Sequence, residues 1–319
     1  VGLLRGALPG KTVLLRADMD ALPIEEVTER EYKSQNQGVM HACGHDGHTS
    51  MLLGAASLLA ERRDSIAGTV KFMFQPAEEG GFGAVKMIEA GLMDDPPVDG
   101  AFALHVDGIR YVGEVAVVAG PASAASDRFT ITVHGKGGHA ARPHLTVDPI
   151  LIASQIVVTL QSLVSREVSS SEQVVLTIGY IQGGTAPNII PDEAVIRGTL
   201  RTYKPEVRDL MQRRIGEVCE GVARTMRGSV TYEFHPGYPS IINDAASTDL
   251  VRMVIEETIG PGAAVEGEPV MGGEDFSYVL QNAPGMMFRL GVRDRSWDVP
   301  RQAHNSSFDM NEDALPIGC

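Results

Sequence analysis

The sequence predicts an α/β protein in which a mostly parallel, doubly wound sheet forms one domain and a smaller ferredoxin-like domain is inserted into it. The first third of the chain alternates short apolar runs with amphipathic segments, which is typical of parallel strands connected by helices. From about residue 126 the order becomes strand, helix, strand, strand, helix, strand, the βαββαβ order of a ferredoxin-like unit. The α/β pattern then returns. We therefore place the larger domain at residues 1–120 and 236–319 and the inserted domain at residues 121–235.

Apolar runs in the first section predict strands at residues 12–17, 69–74 and 101–104. Between them, residues 48–63 and 83–90 carry apolar side chains at helical spacing and predict helices. Each of these strands is followed closely by histidines or carboxylates. Because ligands bind beyond the carboxyl ends of parallel strands, these polar residues predict a functional site.

The inserted section begins with a strand at residues 128–133, whose strict alternation is typical of a half-exposed strand. A long helix at residues 148–165 follows, with Pro149 just inside its start. The other elements predicted for this section are strands at 173–181, 194–203 and 229–234 and a helix at 205–226. A helix at residues 244–258 and a strand at residues 285–292 resume the α/β pattern.

Composition excludes several classes of protein. With 319 residues, 43% apolar content and a mean hydropathy near zero, the chain is typical of soluble globular proteins. It has no run of eighteen apolar residues to span a membrane and no secretory signal at its start. The net charge of −14 argues against nucleic acid or an anionic membrane as a partner. The widely spaced Cys43, Cys219 and Cys319 argue against a disulfide framework and predict a reducing, cytoplasmic location.

Both ends of the sequence are abrupt. The first convincing strand begins at residue 12, and a helical pattern starts near residue 313, close to the last residue. We therefore expect the chain to be a fragment of a longer polypeptide, truncated at both ends.

The segment from His41 to His48 is the strongest local signal. It holds three histidines, a cysteine and an aspartate within eight residues. A lone buried histidine or cysteine is usually a packing residue, but so many soft donors in one Gly-containing loop predict a metal site. Cys43 and His45 can both face one ion from an irregular loop. His48 opens the following helix, and the alternative to a ligand role is that it caps this helix or supports a ligand residue.

Two pairs of carboxylates follow strands. Glu78 and Glu79 come directly after the strand at residues 69–74 and its Gln-Pro-Ala turn. Beside a metal, neighbouring carboxylates can divide their roles, with one as a ligand and the other as a base that takes a proton from water. Asp18 and Asp20 end the first strand and are either groups that orient a ligand histidine or ordinary polar residues of a strand terminus.

Two glycine-rich loops present further candidates. The loop at residues 135–139 lacks the Gly-Lys-Ser/Thr ending of a phosphate loop, so we predict a tight turn that presents His139. The loop at residues 271–277 runs into a helix, and at Gly273 it lets a ligand approach the backbone. Cys219 lies at helix positions consistent with core packing.

These stretches resemble the motifs of the co-catalytic metallopeptidase family that includes carboxypeptidase G, aminoacylases and hippurate hydrolase. The most similar branch is that of the N-acyl-amino-acid amidohydrolases, auxin-conjugate hydrolases among them. The matching stretches follow the family's order over almost the whole chain and are RADMDALP, HACGHDGH, FQPAEEG, LHV, GKGGHAARP, GGTAPNIIP, MGGEDFS and the final His304.

The resemblance implies two divalent metal ions per subunit. Their ligands would be Cys43, His45, Glu79, His105 and His304, with the cysteine in the place of a bridging aspartate. Zinc or manganese is favoured, and nickel and cobalt stay open. Glu78 matches the family's general base and Asp20 its orienting aspartate. The role of Asp18 is open, because other branches have a histidine ligand at that position.

The resemblance also implies a homodimer. His139 matches a histidine that reaches from the small domain into the partner subunit's site and stabilises the oxyanion. Asn188 and Arg201 match residues that bind the substrate carboxylate, which would supply the local cation that an acidic protein needs to hold an anion.

The implied reaction is hydrolysis of the amide bond of N-acyl amino acids, hippurate-like or acetylated, to a carboxylic acid and a free amino acid. The residues leave two other interpretations open. Cys43 could be the nucleophile of a cysteine hydrolase, with a nearby histidine as its base. Alternatively, the chain could be a metal-binding module without catalysis, although such a module needs no spare base at Glu78.

Overall fold

The computed structural model describes residues 1–319. The chain divides into two compact units. The larger unit comprises Val1–Ala122, Ile241–Pro269 and Asp275–Cys319, and the smaller unit comprises Ser123–Ser240 and Val270–Glu274. The predicted boundaries lay at residues 120 and 235, and the short return of the chain to the smaller unit after Pro269 had no counterpart in the prediction.

The strands are β1 Gly2–Arg5, β2 Leu8–Asp18, β3 Ala67–Gln75, β4 Gly100–Tyr111, β5 Val115–Val117, β6 Gly120–Ser123, β7 Ala125–His134, β8 Gly138–His139, β9 Val174–Gly183, β10 Ile189–Ile190, β11 Glu193–Thr202, β12 Ser229–Tyr238, β13 Ile241–Asn243, β14 Ala264–Glu266 and β15 Gly285–Arg293. The α-helices are α1 His45–Glu61, α2 Gly83–Glu89, α3 Pro149–Ser162, α4 Pro205–Thr225, α5 Ala245–Thr258, α6 Ser277–Leu280 and α7 Leu315–Gly318.

The larger unit is built on a seven-stranded mixed sheet in the order β1-β3-β2-β4-β15-β5-β14. Strands β3, β2, β4 and β15 run parallel, whereas β1 pairs antiparallel with β3 and β5 pairs antiparallel with β15. The predicted α/β fold with a mostly parallel sheet is confirmed. β2 and β3 end at one edge of the parallel sheet, where Asp18 ends β2 and Glu78 follows β3. The sequence predicts that β4 ends at residue 104, but it continues to Tyr111, and His105 lies within it, two residues beyond Ala103, the last residue of β4 that pairs with β2.

The smaller unit has a four-stranded sheet in the order β12-β7-β11-β9, in which every pair is antiparallel. Together with α3 and α4, these strands give the predicted βαββαβ order along the chain. Apolar residues of the sheet and of both helices form one buried cluster, in which Cys219 is fully buried. Cys219 is therefore a packing residue, as its position in the helical pattern predicts.

Helix α3 begins where the sequence predicts. Pro149 occupies its first position, and the Asp148 carboxylate accepts hydrogen bonds from the backbone N–H groups of Ile150 and Leu151. The helical stretch Pro149–Glu167 has a mean hydropathy of 1.3, long and apolar enough by length and composition to cross a membrane, although the sequence predicts no span. Its inner face, which includes Ile156, lies in the core of the smaller unit, and a core helix passes the same test.

Candidate metal centre

A tight loop before α1 brings Cys43 and His45 together. Gly44 adopts a φ of 80° at the start of the helix, in the left-handed region that favours glycine. A Cβ atom at this position would lie 2.5 Å from Cγ2 of Val106, so the part of β4 that carries His105 packs directly on the loop. The loop geometry and the neighbouring strand thus require a glycine between the two donors.

Potential ligand atoms form two overlapping groups that share Cys43. One group is Cys43, His45 and His105; the other is Cys43, Glu79 and His304. Within each group the ligand atoms lie within 4.8 Å of one another. An ion ~2.0–2.3 Å from every donor needs donors at about this spacing, so each group can hold one ion, with the thiolate between the two. The five residues are those that the sequence predicts.

The ring nitrogens of the buried histidines are oriented by hydrogen bonds. Nδ1 of His105 donates to the carbonyl oxygen of Val106 at 2.7 Å, which leaves Nε2 free to bind a metal, 3.5 Å from Sγ of Cys43. Nδ1 of His45 lies 3.0 Å from the Asp20 carbonyl oxygen and 3.3 Å from Oδ1 of the same residue. A partner of this kind on one nitrogen fixes the tautomer and leaves the other nitrogen as a ligand.

Buried polar atoms that lack a hydrogen bond indicate whether a cation fits between these donors. Nε2 of His45 and Oε1 of Glu79 are buried and make no geometrically satisfactory hydrogen bond, although Oδ2 of Asp18 lies 3.3 Å from the first and Nε2 of His304 lies 3.1 Å from the second. A buried acceptor without a partner costs about 1–3 kcal/mol, and a bound cation would remove that cost. Imidazole, thiolate and carboxylate donors together suit zinc, manganese, cobalt or nickel. The residues present therefore fit the divalent ions that the sequence predicts.

His304 completes the second group from a strained backbone. Its φ is 61°, in the left-handed region, and its backbone N–H donates to the Ala42 carbonyl at 2.7 Å. Nε2 of His304 lies 3.1 Å from Oε1 of Glu79. A left-handed non-glycine residue costs of order 1–3 kcal/mol and is common at functional sites, where the surroundings hold it in place.

Asp18 is not a member of either group that shares Cys43. Its carboxylate is fully buried and is bound by Arg16 at 2.8 Å and by Nδ1 of His48 at 2.5 Å. The backbone N–H of Val106 donates to Nε2 of His48 at 2.9 Å, so both nitrogens of this ring are already engaged. Asp18 and His48 therefore support the centre from beneath. Asp18 also lies 3.3 Å from Nε2 of His45.

Arg16 is a supporting residue that the sequence does not reveal, since it lies within an apolar strand. Its fully buried guanidinium binds Asp18, the side-chain oxygen of Gln75 at 2.9 Å and Asp275 at 3.3 Å. The Asp275 carboxylate also accepts the backbone N–H of Ala84 at 3.0 Å. One cation thus balances two buried carboxylates beneath the ligand loop.

Local charges shift the pKa values of these groups in opposite directions. Burial alone would raise the pKa of Asp18, but Arg16 and His48 outweigh it and hold that pKa well below its usual value. Burial would lower the pKa of His45, yet Asp20 and Asp18 raise it.

His105 is the exception among the ligand histidines. Burial, His48 and the guanidinium of Arg289 hold the pKa of His105 well below its ordinary value, so this ring is neutral and ready to bind a metal.

The loop that carries the paired glutamates is held by Asp20. Oδ2 of Asp20 accepts the backbone N–H of Glu79 at 2.9 Å, so one aspartate contacts both the His45 ring and this loop. Glu78 is buried, and its carboxylate lies within 4.8 Å of the ligand atoms of His45 and Glu79. It can therefore reach a water or a substrate atom at the centre without being needed as a ligand there.

The predicted residues of the smaller unit fall into two places. His139 in β8 pairs with Ile189 in β10, and the Asn188 carbonyl accepts the N–H of Ala140, so His139 and Asn188 are neighbours. The N–H of Ala141 donates to Nδ1 of His139 at 3.0 Å. Nδ1 is thus an acceptor, and in the tautomer that fits this hydrogen bond Nε2 of the exposed His139 carries the hydrogen.

Arg201 and Gly273 lie at the other end of the same sheet. Arg201 pairs with Ser126 of β7, and a Cβ atom at Gly273 would lie 2.7 Å from that of Ser126. His139 and Asn188 lie beyond residue 193, where β11 begins. At ~3.4 Å per residue, residues 193 and 201 are roughly 25 Å apart. Within one chain, Arg201 and Asn188 cannot both contact one carboxylate.

The chain matches the peptidase family M20/M25/M40 over residues 14–319. It is 44% identical over 324 residues to thermostable carboxypeptidase 2 of Saccharolobus solfataricus, covering 100% of this chain and 80% of that protein. It is 43% identical over 311 residues to N-acetyl-L-cysteine deacetylase of Bacillus subtilis, covering 97% and 72%. The crystal structure of the Bacillus subtilis YXEP protein, described as a dinuclear metal binding peptidase, superposes with a TM-score of 0.86 and 34% identity, over 99% of this chain and 80% of that one.

The first prediction concerns stability. Replacing Arg16 with Met leaves Asp18 and Asp275 as buried carboxylates without their shared cation. We expect the free energy of unfolding at pH 7 to fall by about 3–5 kcal/mol, the usual cost of breaking a buried ion pair. Urea unfolding measures it, with Arg62→Gln, at an exposed arginine, as the control. A loss no larger than that of the control would contradict the assignment.

The second prediction concerns pH. Because the folded pKa of Asp18 lies below its unfolded value of ~3.9, its ionisation stabilises the fold above that pH, and the contribution is lost as pH falls toward the folded pKa. Asp18→Asn should therefore be less stable than wild type at pH 7 and lose less stability between pH 5 and the acid limit. Asp249→Asn, at an exposed position of α5, should keep the wild-type slope. Identical slopes in all three proteins would rule out this role of Asp18.

Proposed function

The chain belongs to the peptidase family M20/M25/M40, and from that membership we propose that it is a two-metal amidohydrolase that cleaves the amide bond of N-acyl amino acids. The observation that carries the proposal is the pair of donor groups that share Cys43, with the Glu78 carboxylate beside them. The names of the relatives support it, since one is a carboxypeptidase and another an N-acetyl-L-cysteine deacetylase. Both activities break an amide bond next to an amino acid.

The chain carries the residues that a two-metal reaction needs. Cys43, His45 and His105 would hold one ion, and Cys43, Glu79 and His304 the other. When bound, such ions polarise the scissile carbonyl and make water a better nucleophile at neutral pH. Glu78 then accepts the proton of the attacking water and returns it to the amide nitrogen as the C–N bond breaks. One water is consumed, and a carboxylic acid and a free amino acid are formed.

The oxyanion that develops on the carbonyl needs a donor, and His139 supplies one. Its neutral ring carries a hydrogen on the exposed Nε2, because Nδ1 accepts the N–H of Ala141. A donor of this kind contributes ~3–4 kcal/mol to transition-state stabilisation in other hydrolases. We assign His139 this role and Asn188, its neighbour, a contact to the substrate.

The surface of the smaller unit supports the proposed homodimer. Strand β9 is an edge of its sheet, with Tyr180 and Ile181 exposed, and the outer face of α3 exposes Leu151 and Val158 at 58% and 67%. A ten-residue unpaired edge beside an apolar helix face is suited to association with a second copy. The same exposed face explains why a helix of this unit is apolar on both sides.

Two-fold symmetry would also bring His139 and Asn188 close to Arg201, which lies at the other end of the sheet within one chain. If β9 pairs antiparallel with β9 of a second copy, the Gly183 end of one strand lies beside the Val174 end of the other. The Gly183 end is the end of His139 and Asn188, while Arg201 pairs with Val175 at the opposite end. The proposed dimer thus brings His139 and Asn188 of one chain toward Arg201 of the other, as a shared carboxylate and oxyanion site requires.

The finer features of the proposal follow from the same chemistry. Hippurate-like and acetylated amino acids are the proposed substrates, and zinc or manganese the proposed metals, because the thiolate favours a transition metal over calcium or magnesium. We place the protein in the cytoplasm, since a bridging cysteine needs a reducing compartment.

The cysteine-hydrolase alternative rests on the 3.5 Å contact between Sγ of Cys43 and Nε2 of His105. If Cys43 and His105 form a nucleophilic pair, His45, Glu79 and His304 have no role, although their ligand atoms all lie near the Cys43 thiol. In a non-catalytic metal-binding module, Glu78 has no role. The two-metal hydrolase uses every one of these residues.

The third prediction tests the base. Glu78→Gln preserves the size of the side chain but cannot accept a proton, so we expect kcat for N-benzoylglycine to fall about 100-fold or more. The metal content after gel filtration, measured by mass spectrometry, should match that of wild type, because Glu78 is not a ligand. Glu89→Gln, in α2, should keep wild-type turnover. Retention of most activity by Glu78→Gln would contradict the assignment of Glu78 as the base.

The fourth prediction tests the shared site. His139→Ala and Glu78→Gln should each be nearly inactive alone. If His139 acts in the partner's site, mixed dimers contain one intact site, and random reassortment restores about a quarter of wild-type activity. Mixing His139→Ala with a variant carrying both substitutions is the control and should restore nothing. A mixture of the single variants that stays inactive after proven subunit exchange would show that His139 acts within its own chain.

A further inference from the structure

Asp275 binds two points of the chain that lie far from it in sequence. Its fully buried carboxylate accepts a hydrogen bond from Nε2 of Gln75 at 2.6 Å and another from the backbone N–H of Ala84 at 3.0 Å. Gln75 is the last residue of β3, and Ala84 is the second residue of α2. Between these two points lies the segment of residues 76–82, here called the glutamate loop, which carries the proposed base Glu78.

The glutamate loop is closed on itself and strained. A Cβ atom at Gly83 would lie 1.7 Å from the Pro76 carbonyl oxygen, so the two ends of the loop are in direct contact. Ala77 and Phe82, near these ends, adopt left-handed φ values of 58° and 56°. Such conformations are unfavourable for residues with a side chain and persist only where other contacts hold them. The two hydrogen bonds to Asp275 are contacts of this kind.

Asp275 is also adjacent to the base. A carboxylate oxygen of Glu78 lies within 4.8 Å of one of Asp275, as it does of the ligand atoms of His45 and Glu79. The two glutamates of the loop are held differently. The backbone N–H of Glu79 donates to Asp20, and its carboxylate would bind a metal. Glu78 is not needed as a ligand, so its place at the centre depends on the closure of the loop that carries it.

We propose that Asp275 is a positioning residue for the reaction: by fixing both ends of the glutamate loop, it sets the place of the Glu78 carboxylate relative to the attacking water. This inference rests on the proposed function and deepens it. A general base acts only within hydrogen-bond reach of the proton that it takes, and a misplacement of about 1 Å can cost on the order of 100-fold in rate.

The kinetic experiment replaces Asp275 with asparagine in the metal-loaded full chain. The amide that replaces the carboxylate has one acceptor oxygen in place of two, so it cannot accept from both Gln75 and Ala84 as the carboxylate does. We expect kcat for N-benzoylglycine to fall roughly 10- to 100-fold, while KM and metal content stay within about twofold of wild type. Asp249→Asn, the same change at an exposed position, should alter none of these values.

A double-mutant cycle separates positioning from a merely structural role. In the Glu78→Gln background no base is left to position, so adding Asp275→Asn should lower the residual kcat less than about threefold. Gln75→Met releases the β3 end of the glutamate loop and leaves the Asp275 carboxylate in place. It should show the same dependence on Glu78, and it replaces Asp275→Asn in the cycle if that variant does not fold.

Hydrogen exchange followed by mass spectrometry reports on the closure of the loop without any turnover. We expect Asp275→Asn to speed exchange in peptides that cover residues 76–84 at least about tenfold, because the Ala84 amide loses its acceptor. Peptides from α5, which lies outside the glutamate loop, should exchange as in wild type.

Four results would overturn the proposal. They are wild-type kcat in Asp275→Asn, an equal fall of kcat with and without Glu78, loss of bound metal from Asp275→Asn, and unchanged exchange at residues 76–84. Faster exchange at these residues in a protein that hydrolyses no N-acyl amino acid would refute the proposed function and leave the closure of the loop by Asp275 standing.

Discussion

The candidate metal centre of the larger unit depends on the thiol of Cys43, because Cys43 is the only donor that both ligand groups use. The other donors come from separate parts of the chain: the start of α1, the loop after β3, strand β4 and the segment around His304. They meet because β2 and β3 end at one edge of the parallel sheet, and His105 lies in the neighbouring β4 just beyond the last residue that pairs with β2. A shift of register in any of these strands would move a donor by ~3.3 Å and break a group.

Bringing these donors together requires left-handed backbone conformations at non-glycine residues and buried charges around the site. Ala77, Phe82 and His304 all adopt left-handed φ values without being glycines, and the first two flank the loop that presents Glu78. Beneath the loop, Arg16 neutralises Asp18 and Asp275 in a fully buried network. Strain and buried charge of this kind persist only where the surrounding structure holds them, which is typical of a preorganised site.

Much of this could be predicted from the sequence, because the relevant signals are local. The strand predicted at residues 69–74 is Ala67–Gln75, the helix predicted at 205–226 is Pro205–Thr225, and the donors predicted from short motifs lie together. What could not be predicted depends on distant pairings. The short strands β1, β5 and β14 have too few residues for a periodic pattern. Arg16 lies within a strand, and only the folded chain brings its guanidinium to Asp18 and Asp275.

Metal reconstitution tests the central claim most directly, since it asks whether the shared cysteine centre performs the reaction. The protein is stripped with a chelator and titrated with zinc, manganese, nickel or cobalt while glycine release from N-benzoylglycine is followed. We expect activity to vanish on stripping, to return with at least one of these ions, and to reach its plateau at two equivalents per chain, one for each donor group. Hydrolysis that is indifferent to stripping would contradict it and favour Cys43 as a nucleophile.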